Sequence, residues 1–369
     1  MIAKYRIAKN RLTALGALLA AASIVSAPAQ AEEELFPRIE GEIPIEIQND
    51  YTFDADNKAE ELNDTYATIE PAISIRFTEL FSLEAGLVLE PVLDPDPNDD
   101  RFFADEGLFV ETLFLQFATD DFSIFAGKFN PTFGVAWDIA PGLYGTDLAE
   151  DYELTERVGL GGSVTLGNEQ TGSHTLTANT FFADTSFLAE SVITKRPRNS
   201  KASGGPSNTE DLSSFSVTLD GDLAFIGEGI GYHIGAVSQE GGVGNSEDEF
   251  GVAVALFGEF AIGDNTSVGP VVEYVHQSDA GAIAEDRDYL TLGVGVTHGP
   301  WNFAVSDTIR TIDPAGGGDS DDNQIQVSGG YAFENGLTFD VGYKHLEAGG
   351  SDANTLGALL TYTIPFSAP

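Results

Sequence analysis

Residues 38–48 read RIEGEIPIEIQ. The isoleucines of this stretch all fall on odd-numbered positions, and its glutamates all fall on even-numbered positions. Because successive side chains of a β-strand point to opposite faces, a strand here has one aliphatic face and one acidic face. The aliphatic face requires lipid or a protein core, and the acidic face requires water.

The same alternation returns along the chain in segments of about ten residues, the length of a tilted membrane-spanning strand. Further clear examples are residues 69–77, 83–89, 290–297, 324–333 and 337–344. Tight turns such as residues 298–300 alternate with long acidic stretches such as residues 94–106 and 313–322. About sixteen such segments predict an all-β fold, a transmembrane antiparallel β-barrel with short periplasmic turns and long acidic extracellular loops.

The N-terminus has the features of a secretory signal peptide. A basic stretch precedes an apolar run from Leu12 to Val25, and the small residues Ala29-Gln30-Ala31 follow it. We therefore expect residues 1–31 to be a cleaved leader and residues 32–369 to be one barrel domain. A barrel of this kind belongs in the outer membrane of a Gram-negative bacterium.

The composition excludes several classes of function. Four of the 17 basic residues lie in the leader, so 13 basic residues remain against 59 acidic ones, a formal charge of −46. A charge of that sign and size argues against nucleic acid as a partner. The sequence contains no cysteine, which removes thiol nucleophiles, haem attachment and thiolate metal sites.

Residues 127–134 read GKFNPTFG and precede a long loop. At this point the chain resembles outer-membrane porins of the phosphate-selective type and the siderophore porins related to the legiobactin receptor. The resemblance implies that the loop after the motif folds into the pore, which makes residues 139–155 the candidate constriction; the alternative is an ordinary extracellular loop. Phosphate selectivity is disfavoured, because an anion path needs a ladder of cations.

The alternation assigns charged residues to the lumen face, since charges facing lipid near the bilayer midplane are costly. The predicted acidic wall of the pore consists of Glu40, Glu42, Glu46, Glu70, Glu84 and Glu90. The predicted pore-lining basic residues are Arg76 and Lys344, which have the inward parity, together with Lys128 and Arg310. An acidic wall favours cations in a pore. For the carboxylates the alternative is a solvated strand end, and for the basic residues it is salt bridging between neighbouring strands.

The other charged features of the sequence each have an explanation that involves no functional site. Lys195, Arg196, Arg198 and Lys201 cluster in one loop, either as a contact for lipopolysaccharide or an anionic solute, or as a solvated basic segment. Acidic stretches at residues 94–100 and 319–323 lack the spacing of a defined calcium loop. The five histidines form no catalytic or metal-binding motif, so we expect no enzyme, no cofactor and no metal.

The sequence thus favours a porin for passive diffusion of small hydrophilic solutes or ions, with a preference for cations. A substrate-specific porin, for example for a siderophore, and a non-conducting structural or adhesive barrel are the alternatives. Expected partners are outer-membrane lipid and lipopolysaccharide, the barrel-assembly machinery and, as is common among porins, two further copies in a homotrimer.

Overall fold

The computed structural model describes residues 36–168, 170–224, 226–227 and 229–369. The expected signal peptide at residues 1–31 lies outside these described residues. None of the helices in the described part of the chain is long and apolar enough to cross a bilayer.

The described residues form twenty strand segments in one sheet. Their bounds are β1 (Arg38–Ala55), β2 (Asn63–Ile69), β3 (Ala72–Arg76), β4 (Phe81–Pro91), β5 (Arg101–Phe102), β6 (Glu106–Ala118), β7 (Phe122–Phe129), β8 (Arg157–Asn168), β9 (Gly172–Ala183), β10 (Val192–Ile193), β11 (Ser214–Asp222), β12 (Ile230–Gln239), β13 (Glu249–Gly258), β14 (Phe260–Ala261), β15 (Thr266–Ser278), β16 (Glu285–His298), β17 (Trp301–Pro314), β18 (Ser320–Ala332), β19 (Thr338–Ala348) and β20 (Ser351–Ala368). A four-residue helix, α1, spans Ala136–Ile139. Short 3-10 turns cover Lys58–Glu60, Ala149–Tyr152, Phe187–Ala189, Lys201–Ser203 and Ala280–Ala282.

These segments build a closed antiparallel barrel of sixteen strands, as the alternation predicts. Strands β2 and β3 form one barrel strand, as do β13 and β14, while β5 and β10 are short additions at the loop end. The first and last strands close the barrel through a long register from Ile39 opposite Ala368 to Ala55 opposite Ala353. Closure leaves no free sheet edge between β20 and β1, which is the condition for a sheet to sit in lipid.

The two faces of the wall differ in chemistry. Exposed aliphatic and aromatic side chains cover the outer face, among them Leu292, Val327 and Leu356. Side chains of the opposite parity point inward and are mostly carboxylate, amide, hydroxyl or glycine. An apolar outside around a polar inside is the pattern of a membrane barrel.

The predicted strand at residues 69–77 is interrupted. The ladder stops after Ile69 and resumes at Ala72, because Pro71 has no amide hydrogen to donate. Glu70 lies at this break, and its own amide donates to the carbonyl of Pro44 at 3.1 Å. The interruption keeps β2 and β3 in one barrel position beside β1.

Residues 130–156, called the lumen loop below, leave the wall after β7 and fold inside the barrel. Its side chains Phe133, Trp137 and Tyr152 join a buried apolar cluster with wall residues such as Val237 and Val275. The loop therefore has a core of its own against the inner wall. It begins nine residues earlier than the predicted constriction at residues 139–155 and includes all of it.

Candidate pore and lumen loop

The predicted acidic wall lies on adjacent strands that share one face of the sheet. Glu40 faces Ser74 across β1 and β3, and Ser74 faces Glu84 across β3 and β4. The Ser74 hydroxyl donates to Glu84 at 2.9 Å. Glu42 faces Ala72, and Glu46 faces Thr68, farther along β1. The register thus spreads these carboxylates along the barrel axis as a patch on β1 to β4.

This patch faces the lumen, because β1 contacts the lumen loop with the same parity. Asp50 has the parity of Glu46 and accepts a hydrogen bond from the Tyr144 hydroxyl at 2.6 Å. Asp50 also accepts from Tyr66 of β2 at 3.1 Å. Ile47, of the opposite parity, is exposed on the outer face. Glu70 at the break and Glu90 near the end of β4 are the remaining members, and both are buried.

Two of the predicted pore-lining cations are ion-paired on the inner wall. Arg76 lies near the turn end of the barrel, 3.6 Å from Glu40, and donates to the carbonyl of Glu79. Lys344 on β19 contacts Asp147 of the lumen loop at 2.7 Å and lies over the Tyr144 ring at 4.3 Å. Both side chains lie on the inner wall, and both are ion-paired there. Arg76 bridges neighbouring strands, whereas Lys344 pairs with the lumen loop.

Arg310 on β17 also faces inward. Its guanidinium pairs with Asp151 of the lumen loop and with Asp322 of β18. Lys344 and Arg310 therefore both form ion pairs with carboxylates of the lumen loop. Two of the basic residues predicted to line the pore thus act as anchors of the lumen loop.

Lys128 occupies a different place from the predicted one. It has the parity of Ile124, which is exposed on the outer face, and it pairs in register with Leu113 and Val158. Its ammonium is covered by the segment 184–198, called the strap below, and donates to the carbonyl of Leu188 at 3.1 Å. The side chain is 1% exposed and so lies within the wall and not on the lumen surface.

Lys128 belongs to a buried ion cluster with Glu156, Asp184 and Arg196. The ammonium is 2.8 Å from each carboxylate, and Arg196 makes a two-pronged contact with Glu156 at 2.7 and 2.6 Å. Burial alone raises the pKa of Asp184, but hydrogen bonds from Lys128 and Ser186 outweigh it and hold that pKa below its usual range. The cluster joins the point where the chain leaves the wall to the strap.

The strap closes the gap that the lumen loop creates. Because β7 ends at Phe129, residues 106–112 of β6 have no partner on β7. Strand β10 of the strap pairs instead with this part of β6, at Gly107 and Leu108. The Arg196 guanidinium also stacks on the Phe109 ring at 3.8 Å.

Three of the four basic residues clustered in and beside the strap have acidic partners. Besides Arg196 with Glu156, Arg198 contacts Glu190 at 2.9 Å, and Lys201 lies 3.5 Å from Glu210. Much of the local positive charge is therefore balanced within the loop. Among the described residues, no group of three or more histidine, aspartate or glutamate side chains could hold a metal ion.

The lumen loop is fixed at its entry by the carboxylate of Glu273 on β15. The amides of Val135 and Ala136 donate to its two oxygens at 2.7 and 2.9 Å. The Tyr152 hydroxyl donates to the same carboxylate at 2.5 Å. Burial and the neighbouring carboxylate raise the pKa of Tyr152 well above its ordinary value, so its phenol keeps the proton that this bond requires.

Inward-facing glycines on the wall make room for the loop. A Cβ at Gly251 would lie 2.7 Å from the Phe133 ring, one at Gly293 would lie 2.5 Å from Pro141, and one at Gly357 would lie 2.0 Å from the Tyr144 hydroxyl. None of these glycines is predicted from the sequence to contact the loop. The available signal was the series of glycines on the inward parity of strands that already read as barrel wall.

Comparison with known proteins adds the fold family. No family model matches the chain, and no curated protein matches it. Solved structures do match: the outer membrane channel DcaP of Acinetobacter baumannii has a TM-score of 0.54 at 11% identity, covering 91% of this chain and 100% of that chain. OccK1 (OpdK) of Pseudomonas aeruginosa has a TM-score of 0.54 at 9% identity, covering 89% and 99%. OmpT of Vibrio cholerae, an outer membrane protein, has a TM-score of 0.52 at 12% identity, covering 90% and 99%.

These identities are too low to carry residue roles, and what they establish is the architecture. The chain shares the barrel fold of these outer-membrane proteins, which agrees with the fold that the resemblance to porins implies.

Proposed function

We propose that this protein is a porin of the Gram-negative outer membrane, through which small hydrophilic solutes diffuse passively with a preference for cations. The supporting observation is the unequal use of charge inside the barrel. Lys344 and Arg310 pair with carboxylates of the lumen loop, whereas on β1 to β4 the inward carboxylates outnumber Arg38 and Arg76, the two arginines that lie beside Glu40. A wall of carboxylates attracts cations and repels anions in a narrow aqueous path.

The lumen loop is the proposed constriction. Its anchors lie on β12, on strands from β15 to β19 and on β1. The loop thereby narrows the lumen on that side, and the proposed path for solutes runs past Glu40, Glu42, Glu46 and Glu84, which lie nearer the turn end of the barrel than Asp50. The proposal includes no chemical step and no cofactor.

The surroundings follow from the outer face. Lipid and lipopolysaccharide cover an exposed apolar band of this kind, and the last strand, with the aromatic Phe366 near its end, is the segment offered to the barrel-assembly machinery. A homotrimer remains part of the proposal as the common porin assembly.

Single-channel conductance of the mature protein in a planar bilayer tests the proposal. Under a potassium chloride gradient, the sign of the reversal potential is expected to show that potassium passes more readily than chloride. The variant Glu42→Gln/Glu46→Gln/Glu84→Gln is expected to move the reversal potential toward zero, because three wall charges are lost. The matched control Asp94→Asn/Asp96→Asn/Asp99→Asn removes three charges from an exposed loop, where salt screens them beyond about 10 Å, and is expected to change little.

The outcomes separate the alternatives. Absence of conductance would overturn the channel and favour a structural or adhesive barrel. Conductance that a particular solute blocks, together with saturable uptake of that solute, would favour a substrate-specific porin. An equal effect of the wall and loop variants would show that the β1 to β4 carboxylates do not set selectivity.

A further inference from the structure

A buried histidine on the wall holds the entry of the lumen loop. The amide of Gly134 donates to His233 Nε2 at 3.1 Å, immediately before the two amides that Glu273 accepts. His233 is 1% exposed, and Phe133, next to Gly134, is fully buried. The amides of three consecutive residues, 134–136, thus donate to two side chains from β12 and β15. This segment, called the hinge below, sets the direction in which the loop enters the lumen.

The hydrogen bonds of His233 require one tautomer. Nε2 accepts from an amide and therefore carries no proton, so Nδ1 carries it and donates to Asp220 Oδ1 at 2.6 Å. A second proton on the ring would place an N–H group against the Gly134 amide and remove the acceptor. The bond that holds the hinge exists only while the imidazole is neutral.

The groups around His233 come from β11, β13, β15 and the lumen loop. Asp220 contacts the ring from β11, and the carboxylate of Glu273 lies on β15 near the same hinge. The intervening strand β13 presents Ala255 opposite His233, and the lumen loop contributes the Tyr152 phenol, which donates to Glu273. The loop loses the hydrogen bond from the Gly134 amide when the imidazolium forms.

We propose that His233 is a proton-sensitive latch of the lumen loop. Protonation of His233 releases the Gly134 amide and loosens the loop at its hinge, so that the shape of the constriction depends on pH. This inference rests on the proposed channel for its consequence, but the latch itself can be measured without conductance.

Trp137 reports directly on the hinge. Its indole N–H donates to the carbonyls of Phe133 and Gly134 at 3.0 and 3.1 Å, and its side chain is buried. The sequence has two tryptophans, and the other, Trp301, is exposed on the outer face. In a Trp301→Phe background, the fluorescence of the folded barrel in detergent comes from Trp137 alone.

The expected result is a reversible red shift of Trp137 emission from about pH 8 to about pH 5, the interval in which imidazoles titrate. His233→Gln removes the titrating group, and its emission is expected to stay constant over that interval. Asp220→Asn, at a half-exposed position, keeps an acceptor for Nδ1 but removes a charge, and is expected to move the transition to lower pH. The control His276→Gln, which loses an outward imidazole paired with Asp288 at 2.9 Å, is expected to keep the transition of the parent.

A pH-dependent shift that persists in His233→Gln would overturn the latch, and its loss in Glu273→Gln alone would assign the titration to that carboxylate instead. In the bilayer, the parent is expected to show pH-dependent changes of open-channel current that His233→Gln lacks. A barrel that conducts at no pH but keeps the Trp137 transition would support the latch and contradict the proposed channel. A conducting barrel without the transition would do the reverse.

Discussion

At the scale of single residues, Gly357 shows how the wall accommodates the lumen loop. Its missing side chain leaves the space in which the Tyr144 hydroxyl lies and donates to Asp50. In Gly357→Ala the new Cβ would lie 2.0 Å from that hydroxyl and 2.7 Å from Leu143 Cδ2, so the loop must move. We expect the free energy of unfolding to fall by about 1–3 kcal/mol, the usual cost of overpacking.

Urea unfolding of the folded barrel in detergent measures this loss, and bilayer conductance reports the displaced loop. Gly316→Ala is the matched control, because no atom lies within 4 Å of a Cβ at that position. Equal stability and conductance of the two variants would show that the Tyr144 contact does not fix the loop.

At the scale of elements, the strap depends on the buried ion cluster at Lys128. Lys128→Met would leave the buried carboxylate of Asp184 without its lysine, and Glu156 with Arg196 as its remaining cation. Removal of one partner from a buried ion pair costs about 3–5 kcal/mol. We expect the strap to detach locally while the barrel stays closed, since the rest of the wall does not use this cluster.

Limited proteolysis with trypsin measures the detachment, because the strap region contains Lys195, Arg198 and Lys201 as cleavage sites. Cleavage there is expected to be faster in Lys128→Met than in the parent. Glu210→Gln preserves the cleavage sites and removes only an exposed pair, which contributes about 0–1 kcal/mol. If Glu210→Gln is cut as fast as Lys128→Met, the cluster is not what holds the strap.

The same elements mark how far the sequence could be interpreted. Period-two alternation predicts strands and their faces, because each barrel strand separates lipid from lumen. It does not predict where a strand ends and the chain turns into the lumen. Lys128 follows the outward parity of β7, and only the strap, which lies far along the chain, turns this costly position into a buried ion pair. Its partners depend on tertiary contacts that no local pattern contains.

At the scale of the whole molecule, the sequence predicts that the barrel closes but not how charge is distributed inside it. The closed sixteen-stranded barrel follows from the alternation, because strands in lipid must satisfy their backbone groups by closing on themselves. The distribution of charge inside it does not follow, because Lys344 and its partner Asp147 are 197 residues apart. The sequence predicts that Lys344 faces inward, and the fold decides that it anchors the lumen loop.

The outer face of the barrel gives the last prediction. Val254 lies on β13 between the outward aromatic residues Phe250 and Phe260, and it is 52% exposed. If this band faces hydrocarbon, Val254→Arg places a charge near the bilayer midplane and lowers the free energy of unfolding by about 2–4 kcal/mol, whereas a charge near the interface costs about 0–1 kcal/mol. Phe250→Arg, on the same face of the same strand, supplies that interfacial control.

Both variants are compared with the parent by urea unfolding in lipid vesicles. A clearly larger loss for Val254→Arg than for Phe250→Arg is expected, because the penalty for a charge depends on its depth in the bilayer. In detergent micelles, where water and headgroups approach the strand more closely, we expect the difference between the variants to shrink. Equal losses in vesicles would contradict a membrane position for this face, and the proposed channel would then lose its lipid surroundings.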